Sequence, residues 1–314
     1  MARIAADKLH PKARAIVDQI AALPQLPTLT PVEARGRPVP LEAAPEAVGS
    51  LTARAIPGPA GPMAIRIYRP KDALRAAVVY FHGGGWVVGS LESADASCRV
   101  LANRSRCVVI SIDYRLAPET KFPGAVEDAY AAVRWVSSTD NAADLRIDPA
   151  RVAVGGASAG GNLAAAVALV ARERGGPRIA FQLLTVPVTE LSSKAASHRE
   201  FAEGYGLTSA DMEWYGRHYV RTDADADDPR ASVLRADLHD LPPAFVITAE
   251  CDPLRDDGEA YADRLRELGI AARYKRYPGM FHGFMSFPGV LPEAALAFED
   301  AGAALREALG VSLT

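Results

Sequence analysis

Cysteine is scarce in this chain. Three are spread over 314 residues, at Cys98, Cys107 and Cys251, in neither a metal-ligand spacing nor a disulfide framework. Cys251 reads as a small buried hydrophobe. Charge of one sign is also missing: 35 Lys and Arg face 38 Asp and Glu, and a net charge of −3 gives nucleic acid or an anionic membrane little to hold. No apolar run reaches membrane-spanning length, and Met1-Ala-Arg-Ile-Ala-Ala-Asp7-Lys8 carries charge where a signal peptide needs its apolar core. A cytoplasmic location is therefore expected, with no metal, cofactor, nucleic-acid or membrane partner. Internal repeats are absent. What remains is an ordinary globular makeup, 49% hydrophobic and 23% charged, long enough for one large α/β domain or two smaller ones.

The first 45 residues stand apart. Pro11 to Leu23 reads as an amphipathic helix with Ile16, Val17, Ile20 and Leu23 on one face, and a connector rich in proline follows (Pro24, Pro27, Pro31, Pro38, Pro40, Pro45). From about Leu51 short apolar strands alternate with helical stretches. Strands are expected at Ala64–Tyr68, Ala76–Phe81, Cys107–Asp113, Arg151–Gly155, Ala180–Thr185, Ala244–Glu250 and Ala272–Tyr277. Helices are expected at Ser93–Arg104, Pro123–Ser138, Ala159–Arg174, Arg255–Leu268 and Pro292–Leu309. This alternation predicts an α/β fold, a mostly parallel sheet covered on both faces by helices. Leu191 to Arg230 interrupts it: long, polar and helical from Ser209 to Val220, the segment has the length of a lid or cap. Its acidic end, Thr222-Asp-Ala-Asp-Ala-Asp-Asp-Pro229, lacks the glycine and distal glutamate of a calcium loop and reads as a solvated turn.

The chemistry is carried by Gly156-Ala-Ser158-Ala-Gly160, between an apolar strand and a helix-forming run. Such a G-x-S-x-G element turns sharply, lifts the serine clear of the sheet and leaves no room for side chains at the flanking glycines. Alone it is a weak signal. Acyl transfer further requires oxyanion donors, a base and an acid, in the chain order Ser, Asp or Glu, His. Donors are offered by His82-Gly83-Gly84-Gly85-Trp86 after a strand, with the N–H of Ala159; which two of the three glycines face the oxyanion is left open. His82 precedes the serine and reads as a brace for this loop. His10, His198, His218 and His239 lie outside the core loops, whereas His282 follows a core strand between glycines and reads as the base. Asp252, just past a strand end and 30 residues before His282, reads as the acid; Asp256 and Asp257 open the next helix and Glu250 stays in the strand.

With these motifs in place the chain resembles the hormone-sensitive-lipase-like esterases (bacterial esterase family IV) of the α/β-hydrolase fold. The likeness rests on His82-Gly-Gly-Gly-Trp86, Asp113-Tyr-Arg-Leu-Ala-Pro-Glu119, Phe122-Pro-Gly-Ala-Val-Glu-Asp128, Gly156-Ala-Ser-Ala-Gly-Gly-Asn162, Asp252-Pro-Leu254 and His282-Gly-Phe284, in family order from about residue 60 onward. It implies a catalytic domain over residues 46–314, with residues 1–45 and the 191–230 insertion forming a cap over the acyl pocket. It also implies a serine carboxylesterase acting on short- to medium-chain esters without a cofactor; many members are dimers. Ala157 departs from the family, which usually places Asp or Thr before the nucleophile.

Trp86, and Tyr205, Leu207, Met212, Trp214 and Tyr215 in the insertion, are candidates for lining an acyl or alcohol pocket. The same machinery serves amides, carbamates and lactones, which a substrate panel separates. A non-hydrolytic receptor on this scaffold, such as the plant gibberellin receptors, loses the histidine that stands here at position 282.

Overall fold

Three apolar segments become strands in which every residue is buried: β3 (Ala77–Phe81), β4 (Val108–Ile112) and β6 (Phe181–Thr185). Two more, β5 (Val152–Ala157) and β7 (Ala244–Cys251), are buried at all but one position. Burial on both faces explains why these segments carry no polar alternation. The computed structural model describes residues 8–38 and 45–310; residues 1–7 of the charged leader and Pro40 of the connector lie outside them.

A hairpin, β1 (Ser50–Gly58) and β2 (Gly61–Arg69), opens the sheet, and β8 (Ala272–Phe281) closes it. The order is β1-β2-β4-β3-β5-β6-β7-β8, and among the described strands β2 alone runs against the others. This is the expected α/β architecture. β1 is an addition to the strands expected from sequence: Ile56 is its one buried residue, so no apolar run marks it, and backbone pairing to β2 defines it.

Helices α4 (Gly124–Ser137), α6 (Ala159–Glu173) and α10 (Arg255–Glu267) cover one face, and α3 (Asp95–Ser105) and α11 (Pro292–Ala308) the other. A short helix, α5 (Thr139–Asp144), follows α4. α6 is buried at every position from Ala159 to Ala171, and its alanines let it lie close against the centre of the sheet.

Before the sheet, α1 (Pro11–Ala21) buries Ala13, Ile16 and Val17 and packs against β8. α2 (Pro31–Arg35) starts in a capping box, the Thr30 hydroxyl accepting from the Glu33 N–H while the Glu33 carboxylate accepts from the Thr30 N–H. Segment 191–230 holds α7 (Ala196–Glu200), α8 (Ser209–Tyr219) and α9 (Asp223–Asp227). Its base is clipped shut: the Leu191 N–H donates to Ser232 Oγ at 2.9 Å and the Leu234 N–H to the Thr189 carbonyl at 2.8 Å. The acidic string forms the single turn of α9, its acids paired with arginines as Asp225–Arg221, Asp228–Arg230 and Asp227–Arg235.

Candidate active site

β5 ends at Ala157 and α6 begins at Ala159, so Ser158 occupies the turn alone, at φ 56° and ψ −118°. A non-glycine residue there costs on the order of 1–3 kcal/mol, and the surroundings hold it in place. The Ser158 N–H donates to the Thr185 carbonyl at 2.9 Å, and the Ser158 carbonyl accepts from the Asn162 and Val188 N–H groups at 3.0 and 3.3 Å. The flanking glycines are required by close approach. A Cβ at Gly160 would sit 1.9 Å from the Phe81 carbonyl oxygen, and one at Gly156 would sit 2.3 Å from that of Gly160.

Two loops bring the other candidates to this serine. His282 follows the end of β8, and its Nε2 lies 2.9 Å from Ser158 Oγ. Its Nδ1 lies 2.9 Å from Oδ2 of Asp252, a fully buried residue just past β7. The Asp252 carboxylate accepts only, which assigns the proton to Nδ1 and leaves the Nε2 lone pair facing the serine hydroxyl. Asp252 Oδ1 accepts from the Leu254 N–H at 2.8 Å, fixing the carboxylate plane. The competing acids are engaged elsewhere. Glu250 lies in β7 and accepts from the Gly279 N–H, Asp256 accepts from the Ser197 N–H, and Asp257 pairs with His198.

The glycine loop runs beside Ser158. A Cβ at Gly83 would come 3.6 Å from Ser158 Cβ, and Gly84, at φ 115° with its Cβ direction 2.2 Å from the Val88 carbonyl oxygen, admits only glycine. Ala159 is the first residue of α6, where helical N–H groups lack intrahelical partners and the helix dipole favours negative charge. His82 braces the loop as expected. Its Nδ1–H donates to the Gly83 carbonyl at 2.8 Å, and its ring stacks on Tyr114 at 4.2 Å, whose hydroxyl donates back to the His82 carbonyl. Burial pushes the His82 pKa down to about 4, so the ring is neutral near pH 7.

A cavity of about 2030 Å³ opens over Ser158 and His282, and Leu207, Met212 and Tyr215 line it from segment 191–230. Trp86 borders it but is 3% exposed, its indole stacked on Tyr219 at 4.0 Å. Two candidates are corrected: Tyr205 and Trp214 are not among the lining residues. Tyr205 packs on Phe201 and under the Arg14 guanidinium. Trp214 is buried against the N-terminal segment, its Nε1–H donating to the Leu29 carbonyl at 3.2 Å. Helical period could have found this. At about 100° per residue Trp214 stands roughly 200° from Met212 and 100° from Tyr215, so one face cannot present all three.

The α/β hydrolase fold family matches residues 78–286, with the serine, the acid, the histidine and the glycine loop inside the match. The chain belongs to the α/β-hydrolase family. This hydrolase is 42% identical over 252 residues to carboxylesterase NlhH of Mycobacterium tuberculosis, covering 78% of each chain. It is 41% identical over 238 residues to the ethyl acetate hydrolase of Pseudomonas putida, covering 73% of this chain and 74% of that one. Among solved structures, the hyperthermophilic esterase from the archaeon Pyrobaculum calidifontis superposes with a TM-score of 0.88 at 43% identity, covering 97% of this chain and 99% of that one. These relatives make the protein a carboxylic ester hydrolase and bear out the resemblance to hormone-sensitive-lipase-like esterases.

Two supports of the hydrolase site escaped the sequence. Asn162, fully buried in α6, donates through Nδ2 to the Val188 and Ala231 carbonyls at 3.0 and 2.8 Å, tying the helix behind Ser158 to both ends of segment 191–230. Arg35, at the end of α2, donates to the Val87 and Ala117 carbonyls at 2.9 and 2.8 Å and makes a bidentate pair with Glu119. That pairing holds the Glu119 carboxyl well below the usual carboxylate range. Asn162 closes the Gly156–Asn162 motif, yet nothing in that motif names its partners, and Arg35 carries no motif; each acts through partners distant in sequence.

Proposed function

We propose that the protein hydrolyses short- to medium-chain carboxylic esters through an acyl-enzyme on Ser158, with His282 as base and Asp252 as its orienting acid. One observation carries the reading: the continuous hydrogen-bond chain from Ser158 Oγ through the imidazole of His282 to Asp252, 2.9 Å at each step. Ser158 Oγ attacks the ester carbonyl as its proton passes to His282 Nε2, while Asp252 stabilises the imidazolium and keeps its orientation. N–H groups of the Gly83–Gly85 loop and of Ala159 bind the oxyanion, each worth on the order of 3 kcal/mol. The imidazolium protonates the departing alcohol. Water then attacks the acyl-enzyme by the same route, releasing the acid and restoring Ser158. The described residues of the 1–45 segment, together with residues 191–230, act as a cap over the acyl pocket, supported by the Leu207, Met212 and Tyr215 lining and by α8 packing against the N-terminal segment. The preference for short acyl chains is supported by the relative named an ethyl acetate hydrolase.

Replacing Ser158 with Ala is expected to lower kcat on a p-nitrophenyl ester by on the order of 10⁶, with the fold retained by circular dichroism. Undiminished turnover would sink the assignment. A rate profile over acyl length should peak at short to medium chains, and a maximum at very long chains would contradict it.

A further inference from the structure

Within the glycine loop, positions 84 and 85 require glycine for different reasons. Gly84 takes φ 115°, a conformation closed to side chains. Gly85 takes φ 57°, which other residues of this chain adopt: Trp86 at φ 60° and Arg106 at φ 59°. Backbone conformation therefore does not demand glycine at 85. What does is the ring of Tyr215. A Cβ at Gly85 would lie 2.1 Å from Tyr215 Cδ1 and 2.2 Å from Cγ, inside the ring. The phenol ring rests directly on the Gly85 backbone and lines the same cavity as Ser158.

The ring is itself held from behind. Trp214 packs edge-to-face on Tyr215 at 5.3 Å and is anchored by its Nε1–H to the Leu29 carbonyl. The same stretch of loop is gripped from its other end by Arg35, through the Val87 carbonyl. Both grips come from the cap: Tyr215 from the 191–230 insertion and Arg35 from the N-terminal segment.

We infer that Tyr215 is a positioning residue whose ring fixes the Gly85 peptide, so that the oxyanion loop is set by the docked cap. This rests on the reading that the Gly83–Gly85 loop supplies oxyanion donors. Displacing such donors by a fraction of an ångström weakens transition-state binding with little change in ground-state binding. The effect should therefore appear in kcat and depend on the ring, not on the hydroxyl.

The test is a mutant cycle read with p-nitrophenyl acetate, each variant checked for thermal unfolding and for complete end-point labelling of Ser158 by a fluorophosphonate. Tyr215→Phe should keep kcat within about twofold, and Tyr215→Ala should lose on the order of 10- to 100-fold in kcat with KM changed by less than about threefold. Gly85→Ala should lose on the order of 10²- to 10³-fold, and the double variant Gly85→Ala/Tyr215→Ala should be no slower than Tyr215→Ala alone, because the clash is gone. Additive losses, a loss confined to KM, or a Tyr215→Ala enzyme with full kcat would overturn the inference. If Gly85→Ala fails to fold, the Phe and Ala variants at 215 still decide it. Failure of the underlying reading looks different: Ser158 would resist labelling, or its alanine variant would stay active.

Discussion

On one side of the cavity, the elbow at Ser158 is held by backbone against backbone; on the other, segment 191–230, the roof, is held by side chains. The floor has Gly160 touching the Phe81 and His82 carbonyls, Gly156 touching Gly160, and an α6 buried from Ala159 to Ala171. The roof rests on arginine–carboxylate pairs such as Arg221–Asp225, Arg230–Asp228 and Arg235–Glu190, and on aromatic stacks at Trp214 and Tyr219. Exposed ion pairs contribute little each, whereas close-packed backbone tolerates no added atom. The difference separates two demands on the fold. The floor keeps Ser158, His282 and Asp252 in register, and the roof can exchange side chains without disturbing them wherever, unlike Tyr215, those side chains do not rest on the glycine loop.

A single methyl group in the floor should be felt at once. With 1.9 Å to the Phe81 oxygen and 2.5 Å to that of His82, Gly160→Ala forces α6 away from β3 and drags the glycine loop with it. A destabilisation of about 3 kcal/mol or more is expected, a fall in Tm of about 5 °C or more, together with a loss of kcat. Unchanged Tm would show that the elbow relaxes more easily than its packing implies.

His82 sharpens the contrast through pH. Its pKa in the folded state is about 4, below the unfolded value near 6.5, because burial disfavours the cation. The unfolded chain therefore binds the proton first. Stability is full above pH 6.5 and falls as pH drops from 6.5 to 4, by on the order of 3 kcal/mol from this group. His82→Asn keeps a donor for the Gly83 carbonyl but cannot titrate. Urea unfolding at pH 7.5, 6, 5 and 4 should give the variant a shallower loss, even if it starts lower for want of the Tyr114 stack. Parallel curves would remove His82 as an acid-sensitive point in the floor.

The same division decided what could be read from the sequence. Ser158 and Asp252 were legible because each follows a buried strand whose apolar run announces it; β8 before His282 is mostly exposed or half-buried, so that residue was legible from its place after a strand and from the constrained chain order of the three. The parallel strands β3 to β7 and the two helical layers were legible from such apolar runs. β1 was not, since its residues are mostly exposed and hydrogen bonds to β2 alone define it. In the roof, residue type said little. Tyr205, Trp214 and Tyr215 are all aromatic, yet the first two pack within the roof and the third reaches the cavity. Which face of α8 turns inward depends on docking against Leu29 and the glycine loop, contacts between segments far apart in the chain.

The smallest expected effect repeats the methyl substitution in the roof. Gly216 lies inside α8, in helical conformation, with nothing within 4 Å of a Cβ built there. An alanine would meet no neighbour and would remove backbone freedom from the unfolded chain. Gly216→Ala should therefore stabilise the protein by about 0.5–1 kcal/mol, raising Tm by roughly 1 °C. The measurement is differential scanning calorimetry of the wild type, Gly160→Ala and Gly216→Ala side by side. Opposite signs from the same added carbon would show that space around the backbone, rather than glycine itself, distinguishes floor from roof. A fall in Tm for Gly216→Ala would mean that α8 is packed as tightly as α6, and the roof would then have no more freedom to vary than the floor.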